Sequence, residues 1–341
     1  MKSTKIAALL SAGILLAGLT ACSNTADAAG GASGPAAKSE SNWPQKGKTI
    51  DLIVAYAPGG SVDTAARVVA PALEKELGVN VQVTNKPGAG GQIGYTALAN
   101  SKPDGYTIGA VSAPSVVVTP LDPSRGATFT RESFLPLARQ VFDPQVIAVK
   151  KDSKFEDLGA LIDYAKAHPG ELSATTTGIQ TGEHFAMTSV EEATGAKFNL
   201  VAFSEGAASA MAAFLGDHVD IYVGNVSDIV DSGSNDIRVI GVMGAERSPS
   251  LPDAHTFKEE GYDVDEGTAR GYVAPAGLPE DVATKLEDAL GKVIQDPAVV
   301  DQLNKLGLPT AYLNSADYID YWTKQETQYK KLLPQMMADA K

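Results

Sequence analysis

Cysteine is almost absent. Of 341 residues only Cys22 carries a thiol, so no disulfide forms within the chain and stability rests on packed cores. Basic residues are also scarce: 28 Lys and Arg stand against 41 Asp and Glu, a net charge of −13. A nucleic-acid partner or an anionic lipid surface wants a basic face, so the charge argues against both. The four histidines, His168, His184, His218 and His255, show no H-x-x-x-H or other ligand spacing, and nothing supports a metal site. There is no G-x-S-x-G elbow for a nucleophile. Past residue 21 no hydrophobic run reaches membrane-spanning length, and no repeat of solenoid length is visible.

The chain does have a marked start. Lys2 and Lys5 precede an apolar run from Ile6 to Leu19, and Leu19-Thr20-Ala21-Cys22 closes it. That is the layout of a secretory signal, and the four closing residues fit a bacterial lipobox. Cys22 is then the lipid-bearing first residue of the mature protein; the other reading is an ordinary signal peptide with a thiol near its cleavage site. Loss of residues 1–21 removes two lysines, leaving 26 basic against 41 acidic residues and a net charge of −15. The expected location is the extracytoplasmic face of a bacterial membrane. Residues 23–47 are Ala, Gly, Ser, Asn and Pro with few bulky groups, a tether of about 25–30 Å as a coil.

From Thr49 the texture changes. Ile50–Tyr56 reads as a buried strand, Ser61–Leu77 as a helix that Ser61 caps, Pro71 kinks and Gly78 stops. Residues 79–84 and 106–112 read as strands around a helix over 92–100. A second such unit follows, with strands at 145–149, 172–177, 198–202, 219–223 and 237–243 and helices over 155–168 and up to Gly195. The tail over 279–295, 297–306 and 316–333 is helical. This alternation implies an α/β protein with sheets covered by helices.

Three glycine-bearing loops follow strands. In the first, Tyr56-Ala57-Pro58-Gly59-Gly60-Ser61-Val62-Asp63, the glycines let backbone approach a ligand and the following helix presents unpaired N–H groups. That is an anion site needing no lysine; the plainer reading is a turn capped by Ser61 and Asp63. The second, Thr176-Thr177-Gly178-Ile179-Gln180-Thr181-Gly182-Glu183-His184, repeats the design, with His184 as a structural residue or a ligand contact. The third, Asn85 to Gly94, has the wrong spacing for a dinucleotide fingerprint and reads as a turn supporting the first. No cofactor is expected.

The run Tyr56-x-Pro58-Gly59-Gly60-x-x-Asp63-x-x-Ala66-Arg67 resembles the signature of the tripartite tricarboxylate transporter substrate-binding proteins, which include the Bordetella uptake gene (Bug) receptors. The likeness continues through Asn85-Lys86-Pro87-Gly88-Ala89-Gly90-Gly91, then Pro103-Asp104-Gly105-Tyr106-Thr107. It goes on in Thr177-Gly178 with Thr181 and His184, in Arg247-Ser248-Pro249 through Gly261, and in Arg270 to Gly277. The resemblance implies a two-domain periplasmic-binding-protein, or Venus flytrap, fold with a ligand cleft between domains. Domain 1 would be 48–142 plus 269–341 and domain 2 would be 143–268. It implies ligand contacts from Tyr56, Gly59, Gly60, Ser61 and Asp63 in loop one and from Thr177, Gly178, Thr181 and His184 in loop two. Phe203 and Asn225 are candidates for the second wall. Arg270 is either a partner for a second anionic group or an ion pair at the hinge. Gln180 stands where the family often has glycine, Glu183 adds a charge, and Ala202-Phe203-Ser204-Glu205 replaces a Pro-Tyr-Lys-Gly-like stretch. These departures disfavour a highly charged tricarboxylate.

The implied function is an extracytoplasmic lipoprotein, expected as a monomer, that captures a small carboxylate for the membrane subunits of such a transporter and is not an enzyme. A ligand sensor signalling to a membrane kinase needs the same cleft. An extracytoplasmic hydrolase is the remote alternative, lacking a visible nucleophile and base.

Overall fold

The computed structural model describes residues 42–178, 180–203 and 206–339. The expected signal segment, Cys22 and residues 23–41 of the expected tether lie outside the described residues. The folded body begins before the change of texture at Thr49. Trp43 is only 6% exposed, packs against Tyr106, and its carbonyl accepts from Lys285. One large ring buries enough apolar surface to hold an otherwise polar stretch.

Strand β1 (Thr49–Val54) lacks polar alternation because both of its faces are covered. Leu52 and Val54 enter the core shared with α1 (Ser61–Leu77), while Ile53 enters the opposite one. Helix α1 continues through Pro71 and ends at Gly78, whose φ of 69° is left-handed and whose N–H bonds Glu74. Strands β2 (Asn80–Asn85) and β3 (Thr107–Ala113) flank β1 in parallel; α2 (Gln92–Ala99) lies between them in sequence and α3 (Ser115–Val118) follows.

Strand β4 (Phe134–Lys150) is 17 residues long and belongs to two sheets. After it come α4 (Leu158–Ala167), β5 (Ser173–Thr176), α5 (Gly182–Thr194), β6 (Asn199–Ala202), α6 (Ala207–Leu215), β7 (Tyr222–Asn225), α7 (Val226–Ser232) and β8 (Ile237–Val242). The chain returns through β9 (Gly267–Pro275) and closes with α8 (Glu280–Ile294), α9 (Pro297–Lys305), β10 (Thr310–Leu313) and α10 (Ser315–Asp339).

In the first sheet the order is β10-β4-β9-β3-β1-β2, with parallel and antiparallel pairs mixed. Helices α1, α8 and α9 cover one face, and α2, α3 and α10 cover the other. The face of α8 shows why: Val282, Leu286, Leu290 and Val293 recur at helical spacing and are buried, each worth about 1.5–3 kcal/mol against exposure. From Gln145 onward β4 pairs instead with β7 and β8. There Ile147, Leu161, Ala174, Val190, Val223 and Phe257 share a separate core under α4 and α5. The two sheets meet where Pro144 faces Gly267 and Gln145 N–H donates to Glu266 at 2.9 Å. The sequence reading put these passages near 143 and 269.

Candidate ligand-binding site

A cleft of about 380 Å³ opens where the carboxyl end of β1 faces the starts of α5 and α7. Its size suits a small organic molecule. Loop one forms one wall through Tyr56, Gly60 and Ser61. Gly59 adopts φ 84°, a left-handed turn that brings its N–H onto Asp63 at 2.8 Å. Gly60, by contrast, is extended at φ −72°, and a Cβ there would meet only Ala57 O at 3.5 Å. The fold therefore does not require glycine at 60.

Gly60, not Ser61, is the N-cap of α1, and no side chain caps that helix. Asp63 sits beneath the loop rather than in the cleft wall. Its carboxylate takes the Gly59 N–H, Arg67 Nε at 2.9 Å and Asn85 Nδ2 at 2.8 Å. Burial works against its charge, but Arg67, Gly59 and Asn85 outweigh it and hold the carboxyl below the usual aspartate range. Asn85 also donates to Tyr56 O at 3.0 Å, so the third loop braces the first, while its Gly90 reaches the cleft. The Tyr56 hydroxyl lies 2.7 Å from that of Tyr95.

Loop two supplies Thr177, Gln180, Thr181 and Glu183 to the opposite wall. Helix α5 also starts without a side-chain cap. Thr181 Oγ1 turns inward to Gly178 O at 2.8 Å, and Thr177 Oγ1 donates to Glu183 at 2.6 Å. Gln180 is a non-glycine at φ 60°, a conformation that costs about 1–2 kcal/mol. Two bonds hold it there. Its N–H donates to His184 Nδ1 at 3.2 Å, and its Nε2 donates across the cleft to Asp122 at 2.7 Å. His184 is buried behind the loop, and Gly178 and Gly59 shape their turns without lining the cleft. Phe203 packs against the core around Phe214 and Tyr222 and is not in the wall.

The floor is a polar network. Arg270 is 5% exposed yet lines the cleft. Its Nε donates to Ser61 Oγ at 3.1 Å and its Nη1 to Asp143 at 3.2 Å. Asp143, fully buried, also accepts from Ser227 Oγ at 2.6 Å, Ser227 N–H at 3.2 Å and Asn225 Nδ2 at 3.3 Å. Arg270 thus joins loop one to β4, and both readings made of it keep a geometric basis. Asn225 begins α7 and forms a capping box with Asp228, its N–H on that carboxylate at 2.8 Å. Burial lifts Asp228 to about 6 against the pull of that N–H, and the Asp143 charge adds to the rise.

Among the cleft residues that escaped the sequence reading are Arg125, Asp228 and Thr268. Asp228 had a signal, the N-x-x-D capping spacing from Asn225. Arg125 had none, since it arrives on a short turn that Asp122 caps through Ser124 N–H at 2.9 Å. Among the described residues no group of three or more His, Cys, Asp or Glu is placed to hold a metal. No helix among them is long and apolar enough to cross a membrane.

The family model of the tripartite tricarboxylate transporter family receptors (TctC) matches residues 65–337. Protein BugT of Bordetella pertussis is 32% identical over 260 residues, 74% of this chain and 78% of its own. A crystal structure of a TctC solute binding protein from Polaromonas, without ligand, superposes with a TM-score of 0.76 at 29% identity, covering 86% of this chain and 99% of that one. MatC from Rhodopseudomonas palustris, solved with bound malate, has a TM-score of 0.67 and covers 84% of this chain and 98% of that one. At 23% identity it shares the fold.

Proposed function

The chain belongs to the tripartite tricarboxylate transporter receptor family, and on that premise we propose that it captures a small carboxylate outside the cytoplasm for membrane transporter subunits. The observation that carries the reading is the pair of uncapped helix starts, at Gly60–Ser61 and Thr181–Gly182, in one cleft. A helix start whose first N–H groups lack side-chain partners attracts an anion. Side chains cap α4 through Asp157, α7 through Asn225 and α9 through Asp296, while α2, α3, α6 and α8 also start without one, so the reading rests on two long helices opening into one cleft and not on the missing caps alone. Malate in the related MatC supports the same ligand chemistry.

In the proposed mechanism loop one holds the carboxylate through Gly60 and Ser61, with Tyr56 and Arg270 beside it. Loop two meets it through Thr177 and Thr181, and Asn225 closes the floor. Contacts to both walls favour the closed form by population shift, with 48–142 plus 269–341 and 143–268 as the moving bodies. The protein acts as a monomer tethered by lipid on Cys22. A thermal-shift screen of mono-, di- and tricarboxylates tests the reading, since a ligand at 100 times its Kd stabilises by about 2.7 kcal/mol. A panel without any stabilising member refutes it.

A further inference from the structure

Glutamine is an unexpected residue at 180. Its backbone is left-handed at φ 60°, a conformation that glycine adopts without steric cost and glutamine does not. What the side chain adds is reach. Gln180 stands in the loop between β5 and α5, and its Nε2 donates to Asp122 Oδ2 at 2.7 Å on the opposite side of the cleft. Asp122 lies between α3 and β4, on the body of the first sheet, and is not part of the cleft lining. A change at Asp122 therefore acts on a ligand only through what Asp122 holds.

Both ends of the bond are held in place. Asp122 Oδ1 accepts the Ser124 N–H at 2.9 Å and so caps the short turn Pro123–Arg125, which Gln92 Nε2 fixes through Arg125 O at 3.1 Å. Asp122 is buried, and bonds from Ser124 and then Gln180 hold its carboxyl below the usual aspartate range. The Gln180 amide thus meets a charged acceptor, which makes a stronger bond than a neutral one. On the other wall the Gln180 N–H is held by buried His184 at 3.2 Å. Groups already fixed lose little freedom on pairing. A second contact shows that the walls meet here. A Cβ on Gly182, the first residue of α5, would stand 3.9 Å from Pro114 Cδ, just ahead of α3.

We propose that Gln180 and Asp122 form a latch between the two walls, which stabilises the closed cleft through protein contacts alone and slows the escape of any ligand held inside. The inference rests on the receptor reading above, with 48–142 plus 269–341 and 143–268 as the moving bodies. The bond spans those two bodies, so it exists only while they stand at this separation. A hydrogen bond is gone beyond about 3.5 Å, so an opening of about 1 Å breaks it. The latch adds the same increment to the closed form whatever the cleft contains, and it biases the equilibrium before a ligand contributes anything.

The test uses two substitutions in the full chain, with Cys22→Ala throughout to keep it in solution. Gln180→Asn tolerates the left-handed backbone but is one methylene short. Asp122→Ser keeps an oxygen to cap the turn but does not reach Gln180. Stopped-flow dissociation of L-malate, adipate and citrate is measured on each, with small-angle X-ray scattering of the ligand-free protein. Each variant should speed dissociation about tenfold, the scale of a hydrogen bond to a charged group, and by the same factor for every probe that binds. The double variant should match the single ones, because either change already removes the bond. Dissociation at the unsubstituted rate in both variants overturns the latch and leaves the receptor reading standing. So does an effect of Gln180→Asn that differs among probes and is absent from Asp122→Ser, since Gln180 then acts by touching the ligand. Binding of none of the three acids counts against the receptor reading, and the ligand-free radius of gyration then decides the latch: larger in both variants supports it, unchanged overturns it.

Discussion

Replacing Glu266 by glutamine removes one buried carboxyl from the seam between the two sheets. Glu266 is enclosed by α5 and α10, where it accepts from Ser189 Oγ at 2.6 Å, Gln328 Nε2 at 2.6 Å and Tyr329 OH at 3.4 Å. Burial raises its pKa from 4.5 to about 7; the Asp265 charge adds to the rise, and the three donors offset only part of it. The sign follows from where protons bind. Below pH 4.5 the group is protonated in both folded and unfolded chains and has no effect. Between 4.5 and about 7 the unfolded chain releases the proton while the folded one keeps it, so stability falls as pH rises. Above about 7 both release it and the loss stops growing. A gap of about 2.5 units at 1.36 kcal/mol per unit corresponds to about 3 kcal/mol. Glu266→Gln has no such loss. Urea unfolding followed by circular dichroism, run on both proteins from pH 4.5 to 8, isolates the effect, because the other titrating groups are common to the two. The stability difference should move by about 3 kcal/mol in favour of the glutamine variant across that range. A difference that stays flat with pH refutes the argument, because it leaves no raised carboxyl at this position.

Gly60→Val should abolish ligand binding with little change in melting temperature, since a Cβ at 60 meets only Ala57 O at 3.5 Å; calorimetry showing unchanged affinity makes loop one a mere turn. Arg270→Met should destabilise the ligand-free protein by about 3 kcal/mol by leaving Asp143 buried without its counter-charge, and adding Asp143→Asn should recover much of that in chemical denaturation. Cys22→Ala should move the protein from the membrane to the soluble fraction without altering ligand affinity, and continued membrane retention rules out the lipid anchor.

The elements with one dominant local cause were the legible ones. Helix α1 was bounded correctly because Gly78 admits a left-handed stop, and β1 was located by its largely apolar run, although it ends at Val54, two residues before the expected Tyr56. The first half of β4 was missed because Pro136, Asp143 and Pro144 read as breakers. The strand tolerates Pro136 at a register shift against β9, and Asp143 because Arg270, Ser227 and Asn225 satisfy it. None of those partners is near in sequence. Helix α6 went unread because an alanine-rich stretch gives little periodicity. In the cleft the two glycine loops were visible locally, but side-chain direction was not. Asp63 and His184 turn inward to brace their loops, and Phe203 joins a core that only the tertiary packing of α6 creates.

Strands β4 and β9 run side by side from Phe134 opposite Pro275 to Pro144 opposite Gly267, and the ladder continues as Gln145 N–H meets Glu266 O. The two halves of the molecule are therefore not hung on slack loops. They are the ends of a hydrogen-bonded two-stranded ribbon, the kind of strand pair in which twist is largest. Any swing of one sheet against the other has to deform this strip. Arg270 and Asp143 are both borne on the strip, so the ion pair at the cleft floor sits on the same two strands that join the sheets.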